Sequence, residues 1–269
     1  MITIIFIICI ILYIVFRNRN EKFTTANSNI PKIIHLCYKT KNIPNFIIKN
    51  WTKLNPDYKV ILYDNNDCID FLYKHFGQKH VDIFNYIEDG PIKADFWRVC
   101  ILYIYGGVYC DIDVEPLVPI ESFMEKNIDF LTCISMTKDQ MNPHLIITYP
   151  GNIILKQSID RYIEMFDTKY NYSYWRWSIV YVMSDILYTF FGEYINTEGI
   201  YTQGMKIQLI KEIYKNRLED VYCVYKNKRI LNNRYADYDS INHIFDKNKD
   251  KNTSIIIKLF NKFKKLIKM

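Results

Sequence analysis

The seven cysteines of this 269-residue chain include no CxxC pair, are odd in number and lie mostly in apolar stretches. This pattern does not suit a disulfide framework and indicates buried thiols in a reducing compartment. Internal repeats and low-complexity blocks are also missing. With 49% hydrophobic and 24% charged residues, the chain is too apolar to be disordered.

Most of the chain has no net positive charge, although the formal net charge of the whole chain is +6. The segment 247–268 holds eight lysines and one aspartate, a net charge of +7, so the residues before it sum to −1. No basic face remains for nucleic acid, and we expect no nucleic-acid partner.

Charged side chains are absent from residues 1–16, an apolar run of roughly 24 Å as a helix, slightly short of a ~30 Å hydrocarbon core. We expect a transmembrane anchor there and a polar stem over 17–29. A cleaved signal peptide is the alternative, but it lacks a basic start and a clear cleavage site. Arg17, Arg19 and Lys22 follow the run and favour a cytoplasmic domain by the positive-inside rule.

Strand and helix patterns alternate from residue 30 onward, which predicts an α/β fold with one domain over 30–247. We expect strands at 32–38, 58–63, 108–112, 128–135, 144–149 and 220–226, and helices at 46–54, 66–77, 79–88, 91–105, 153–166, 178–191 and 203–215.

The last segment, 248–269, places isoleucine, leucine and phenylalanine on one helical face and lysine on the other. This pattern is typical of a basic amphipathic helix lying on an anionic membrane surface. A terminal helix packed on its own domain, or frayed in solution, is the alternative.

Two carboxylates, Asp111 and Asp113, end an apolar strand that follows the glycine pair Gly106-Gly107. Strand residues alternate with period two, so both side chains should point to one face and repel each other unless a cation joins them. A hard divalent ion such as Mg²⁺ or Mn²⁺ fits, and it would neutralise a departing nucleoside diphosphate. The motif alone is weak, but a buried strand is a poor place for idle charges.

Asp95 and Arg98 are three residues apart on one face of the preceding helix. They form either a simple surface ion pair or a pair facing a polar cavity. The apolar residues around them favour the cavity.

The segment PIKADFWRVCILYIYGGVYCDIDVEPL resembles the DxD sugar transferases of glycosyltransferase family 32, as do IPKIIHLCYK and NWTKLNPDYKVILYD upstream. The family includes fungal initiating α-1,6-mannosyltransferases, inositolphosphoceramide mannosyltransferases, and α-1,4-galactosyl and N-acetylglucosaminyl transferases. The resemblance covers about residues 30–120.

The resemblance implies a GT-A fold, a retaining hexosyl transfer from a UDP- or GDP-sugar, and Mn²⁺ (or Mg²⁺) dependence. By position, Asp95 and Arg98 would hold the donor sugar and its phosphate, Asp111 the ribose or sugar side, and Asp113, with Asp111, the metal. Tyr38 stands where the family has tryptophan and would stack on the nucleobase. The implied acceptor is a glycan or glycolipid hydroxyl, and the implied location is a Golgi-type lumen, against the flanking charges.

The C-terminal half departs from the family, because Met183-Ser184-Asp185 replaces its Thr-Gly-Pro and no closing Ser-Trp follows. The candidates for the polar groups that this half of the chain would otherwise lack are Asn142, His144, Asp239 and His243. His243 is the candidate for a further metal ligand. Each could equally be an ordinary turn or surface residue. His35 lies in the same strand as Tyr38, and it could equally be a core histidine whose hydrogen bonds are satisfied within the protein.

Two other classes remain open. A catalytically silent sugar- or nucleotide-binding scaffold of the same fold fits the altered C-terminal half. A haloacid-dehalogenase-type phosphatase also places DxD after a strand, but it needs a later lysine and acidic pair, and it leaves Asp95 and Arg98 without a role.

Overall fold

The computed structural model describes residues 30–137, 139–169, 173–215 and 220–233. Within them, ten strands form one mixed sheet. The strands are β1 (Ile33–Cys37), β2 (Lys59–Tyr63), β3 (Gly107–Cys110), β4 (Glu115–Pro116), β5 (Phe130–Ile134), β6 (Leu145–Thr148), β7 (Gly199–Thr202), β8 (Lys206–Lys215), β9 (Asp220–Tyr225) and β10 (Lys228–Asn232).

The strand order is β2-β1-β3-β6-β5-β8-β9-β10-β4, with β7 paired to β8. Strands β2, β1 and β3 run parallel, β3-β6 and β6-β5 are antiparallel, and β5-β8 is parallel again. From β8 to β4 the pairs are antiparallel. The predicted α/β class is therefore confirmed.

Seven helices accompany the sheet in the described residues. They are α1 (Asn45–Leu54), α2 (Asn65–Phe76), α3 (Gln78–Tyr86), α4 (Gly90–Tyr105), α5 (Ile153–Asp167), α6 (Tyr174–Trp177) and α7 (Ile179–Phe191). Helix α2 begins with a capping box in which Asp64 and Asp67 each accept a backbone N–H from the other, which satisfies two otherwise unpaired N–H groups.

Helix α4 is the central helix. Pro91 lies in its first turn, where a missing N–H costs nothing. Phe96, Trp97 and Leu102 are fully buried, and the helix packs against α5, α2 and α7. Because α4 is covered on several sides, even its polar residues Asp95 and Arg98 are inside the protein.

The glycine pair joins α4 to β3 in a turn that other residues cannot make without strain. Gly106 and Gly107 have φ values of +61° and +90°, which favour glycine. A Cβ at Gly107 would lie 2.6 Å from the carbonyl oxygen of Ile33, and one at Gly106 2.6 Å from Pro150 Cδ. The turn brings the start of β3 directly against β1.

Two predicted elements are wrong. β3 ends at Cys110 rather than at residue 112, so Asp111 and Asp113 lie in a turn closed by the Val114 N–H and the Asp111 carbonyl, and strand alternation does not orient them. The predicted helix 203–215 is largely strand β8. Its residues 207–210 are buried without alternation, and a continuous buried run does not distinguish helix from strand.

The predicted anchor (1–16), stem (17–29) and tail (248–269) lie outside the described residues, as does the predicted domain end at 247. None of the helices in the described part of the chain has the length and apolar character that crossing a membrane requires.

Candidate functional site

Arg98 is the centre of a buried ion-pair network. Its Nη2 lies 2.6 Å from Asp95 Oδ1 and 2.9 Å from Asp111 Oδ1. Its Nη1 donates to the carbonyl of Pro143 at 2.6 Å, and its guanidinium lies 4.5 Å from the centre of the Tyr109 ring. The structure thus brings three predicted site residues together, and the alternative of a surface pair on α4 is wrong.

Asp111 is the exposed end of this network. The Asp111 side chain is 29% exposed, against 5% for Arg98 and 9% for Asp95. Tyr109 Oη donates to the same Oδ1 at 2.9 Å, and the Asp111 N–H donates to the carbonyl of His144 at 2.8 Å. The carboxylate is therefore held by Arg98 and Tyr109 at Oδ1, while part of it remains open to a ligand.

Asp95 uses both of its oxygens inside the protein. Oδ1 pairs with Arg98, and Oδ2 accepts the N–H of Ile179 at 2.9 Å. Ile179 is the first residue of α7, where the helix dipole favours a negative charge. Burial raises the pKa of Asp95 to about 6, although the Arg98 charge and the Ile179 N–H act to lower it. Asp95 is thus ionised near neutral pH and ties α4 to α7.

Tyr38 follows the carboxyl end of β1. The turn of Asp111 and Asp113, the DXD turn, follows the carboxyl end of the parallel strand β3. In this pair of strands, His35 is paired with Tyr109. The Tyr38 N–H donates to the Tyr63 carbonyl, and the residue is half-buried. The carboxyl ends of strands are where ligands of open α/β sheets bind. A role of Tyr38 in nucleobase stacking stays a prediction.

His35 is a satisfied core histidine. It is 1% exposed, and its ring nitrogens lie 3.2 Å from Tyr63 Oη and 3.1 Å from the Gly106 carbonyl oxygen. Burial lowers its pKa to about 4, although the hydrogen bond to Gly106 opposes the shift. The imidazole therefore connects β1 to the glycine turn as a neutral group.

The other predicted site residues are placed differently. Asp113 is half-buried, two residues beyond Asp111. Asn142 Nδ2 donates to Glu212 Oε1 at 2.9 Å, and Nε2 of the His144 imidazole lies 3.2 Å from Cys223 Sγ. Asp239 and His243 lie outside the described residues.

The sequence reasoning missed two parts of the site. Tyr109, on β3, contacts both Arg98 and Asp111, and no motif in the sequence marks it. Helix α6 carries Tyr174 and Trp175, and Trp175 is 65% exposed. Helix α6 ends two residues before Ile179, whose N–H donates to Asp95, so this helix lies near the network.

Asp111 and Asp113 are the residues that could hold a metal ion at this turn. Their hard carboxylate oxygens suit Mg²⁺ or Mn²⁺, and the partly open Asp111 carboxylate fits such an ion. Where these two side chains are the ligands from the described residues, water and the phosphates of a bound ligand would complete the coordination shell.

Comparison with known proteins locates the family signal in this part of the chain. Residues 44–131 match the family described as glycosyltransferase sugar-binding region containing DXD motif. Mannosyl phosphorylinositol ceramide synthase CSH1 of Saccharomyces cerevisiae is 36% identical over 106 residues, which are 36% of this chain and 28% of the relative.

One further curated protein and one solved structure are also similar to this chain. Initiation-specific alpha-1,6-mannosyltransferase of Candida albicans is 31% identical over 107 residues, or 36% of this chain and 28% of the relative. The solved structure of PaToxG glycosyltransferase aligns with 65% of this chain and 75% of its own, with a TM-score of 0.48 and 18% identity.

The chain thus matches less than a third of the length of these curated relatives. The match runs from α1 to the middle of β5 and contains Asp95, Arg98, Asp111 and Asp113. Residues 44–131 are therefore the part of the chain that is similar to the sugar-binding region of the DXD glycosyltransferases.

Proposed function

We propose that this protein is a glycosyltransferase that moves a hexose from a nucleotide-diphosphate sugar, GDP-mannose or a UDP-sugar, to a hydroxyl of a glycan or glycolipid. The observation that carries the proposal is the Arg98 network, which holds Asp111 at the carboxyl edge of the sheet inside the matched sugar-binding region. The mixed sheet with its parallel β2-β1-β3 part supports a GT-A type fold.

In this proposal, Asp113 and Asp111 would hold Mn²⁺ or Mg²⁺, and such an ion would neutralise charge on the departing nucleoside diphosphate. Arg98 orients Asp111 through their ion pair, and its charge adds to the field at the leaving group. Tyr38, at the end of β1, stacks on the nucleobase.

Retention is proposed from the family resemblance. The site offers no obvious separate nucleophile, which favours attack by the acceptor on the same face that the diphosphate leaves. Two relatives are named inositol phosphoceramide mannosyltransferase 3 and initiation-specific alpha-1,6-mannosyltransferase. These names support GDP-mannose as the first donor to test.

The acceptor side is proposed at α6. Trp175 is the most exposed of the large hydrophobic residues described, and it precedes by four residues the Ile179 N–H that Asp95 holds. Flat aromatic rings at this position suit the apolar face of a sugar. The apolar run 1–16 and the basic tail 248–269 fit a membrane-linked acceptor. The charges after residue 16 favour the cytoplasmic side of the membrane, whereas the family resemblance favours a Golgi-type lumen.

The test is a donor screen with the full chain. Purified protein is incubated with Mn²⁺ and GDP-mannose or UDP-hexoses, and free GDP or UDP is measured. We expect metal-dependent release with one donor, loss of release in Asp113→Ala, and wild-type release in Asp167→Ala, which changes an exposed aspartate paired with Lys79.

Metal-dependent binding of a donor without release, measured by calorimetry on the wild-type chain, would instead establish the silent scaffold. Phosphatase activity on a simple aryl phosphate would point to the haloacid-dehalogenase alternative.

A further inference from the structure

A second cluster of ligating side chains lies behind the DXD turn. Cys133, His144 and Cys223 bring two sulfurs and one nitrogen within 4.8 Å of one another. His144 Nε2 is 3.2 Å from Cys223 Sγ, and the two sulfurs are 3.5 Å apart. The cysteines are fully buried and His144 is 4% exposed. Nothing in the proposed transfer reaction uses these groups.

The sheet itself aligns the two cysteines. Cys133 on β5 pairs with Ile210 on β8, and Cys223 on β9 pairs with Glu212, two residues further along β8. Paired residues and residues two apart share a face of a sheet, so both thiols project to the same side. His144 directly precedes β6, the strand next to β5. The cluster thus spans four neighbouring strands.

Hydrogen bonding does not account for burying the imidazole of His144. Its Nε2 meets the Cys223 sulfur, and a thiol is a weak hydrogen-bonding group. Its Nδ1 is buried without a hydrogen-bond partner in the described part of the chain. A buried polar ring satisfied this poorly is costly, and a cation bound at Nε2 would offset that cost.

We propose that Cys133, His144 and Cys223 form a binding site for Zn²⁺ or a similar borderline-soft divalent cation. Tetrahedral zinc has bonds of about 2.3 Å to sulfur and about 2.0 Å to nitrogen, which separates its ligands by about 3.5–3.8 Å. The observed separations of 3.2 and 3.5 Å need only a small adjustment. Asn233 Oδ1, 3.2 Å from Cys223 Sγ, is available as a fourth ligand beside water.

The chemistry of the three ligating groups agrees with metal binding. The thiolate is the form that binds metals. The ligand set also separates this site from the DXD turn, because thiolates and imidazole select zinc while carboxylates suit Mg²⁺ and Mn²⁺.

The cation would act as a structural support. The segment 142–144 contributes the Pro143 carbonyl to Arg98 and the His144 carbonyl to the Asp111 N–H. A metal on the His144 ring therefore holds the backbone that both Arg98 and Asp111 use. These ligands are positioning residues and do not touch the donor.

The test measures metal directly on the full chain. Protein expressed with zinc and purified should retain one zinc per chain by mass spectrometry of the metal. Replacement with Co²⁺ should give thiolate-to-cobalt charge-transfer absorption, which an ion on Asp111 and Asp113 cannot produce. Cys223→Ser and His144→Gln should lose the zinc, and Cys68→Ser, which changes another buried cysteine, should retain it.

Three results would overturn the site: wild-type protein without zinc and without the cobalt charge-transfer band, a Cys133–Cys223 disulfide in purified wild-type protein, or equal zinc content in Cys223→Ser and Cys68→Ser. The first two results are measured on the wild-type chain, so they test the proposal even where a variant fails to fold. Zinc binding in a chain that releases no nucleotide would leave this site intact while rejecting the transferase.

Discussion

The guanidinium of Arg98 lies 2.9 Å from the carboxylate of Asp111, although a helix end, a glycine turn and a strand separate the two residues in the chain. The same guanidinium pairs with Asp95 one helical turn away. A single buried cation therefore compensates two carboxylates, and only one of these reaches the surface. The properties of the DXD turn depend on this arrangement.

Arg98→Ala should destabilise the fold by about 3–5 kcal/mol, because it leaves the buried Asp95 without its partner. Arg161→Ala is the matched control, since Arg161 pairs with Glu164 at the same i,i+3 spacing on an exposed helix face and should cost less than about 1 kcal/mol. Urea unfolding gives both values. Equal losses would show that burial of the Arg98 pair has no energetic weight.

Donor turnover should fall as the pH drops through about 6, because Asp95 then takes up a proton and releases Arg98. The loss in kcat/KM should approach about tenfold per pH unit below that value. The raised pKa means that this group's contribution to stability is present at low pH and lost as the pH rises through about 6. Activity should thus decline without any unfolding that this group drives.

The check is a pH–rate profile recorded beside circular dichroism over the same range. Asp95→Asn should have low activity and no inflection near pH 6. A wild-type profile that is flat down to pH 5 would exclude Asp95 as the titrating group.

His35 should give the fold an opposite pH dependence. Its pKa, lowered to about 4 by burial, means that its stabilising effect is present above about 6.5 and is lost as the pH falls towards 4, by up to about 3 kcal/mol. His35→Gln should remove this slope from the unfolding free energy. His75→Gln, which changes a histidine with an exposed hydrogen bond to Tyr105, should leave most of it.

Gly107→Ala should destabilise the protein much more than Gly77→Ala. Both glycines have positive φ values, +90° and +82°, so both substitutions incur the conformational cost of about 1 kcal/mol. Only the Cβ at Gly107 meets backbone, 2.6 Å from the Ile33 carbonyl oxygen, while the space around Gly77 is open. The difference in thermal midpoints isolates the steric contribution, and equal midpoints would contradict the close β1–β3 approach.

Trp175→Ala should raise the KM for the acceptor and leave hydrolysis of the donor by water unchanged, if α6 binds the acceptor as proposed. Tyr73→Ala, on the exposed side of α2 with 62% exposure, is the control and should change neither value. A drop in donor hydrolysis with Trp175→Ala would assign this side chain to the donor instead.

Local patterns predicted most of the first half of the molecule. Strands β1 and β2, helices α1 to α4 and the glycine turn were confirmed to within a few residues, because each has strong periodicity or a terminal signal of its own. Strand β8 was predicted as a helix because its buried run shows no alternation. Strand β10 was missed, and so was helix α6, which at four residues is too short to show helical periodicity.

For the site, the spacing of Asp95, Arg98 and Asp111 was enough to select the residues but not to state what they do. Their burial, and the use of both Asp95 oxygens inside the protein, depends on α7 and on Pro143, which are distant in the chain. Ile179, Tyr109 and His144 lie in no sequence motif that predicts these contacts.

The sequence by itself determined the family signature, the order of most elements, and the need for glycine where α4 turns into β3. These are local properties, set by side-chain pattern and backbone conformation within a few residues. Only the tertiary structure decided that Arg98 is shared between two carboxylates and that Cys133, His144 and Cys223 converge. Such contacts arise from strand order and register, which bring together residues that no local rule connects.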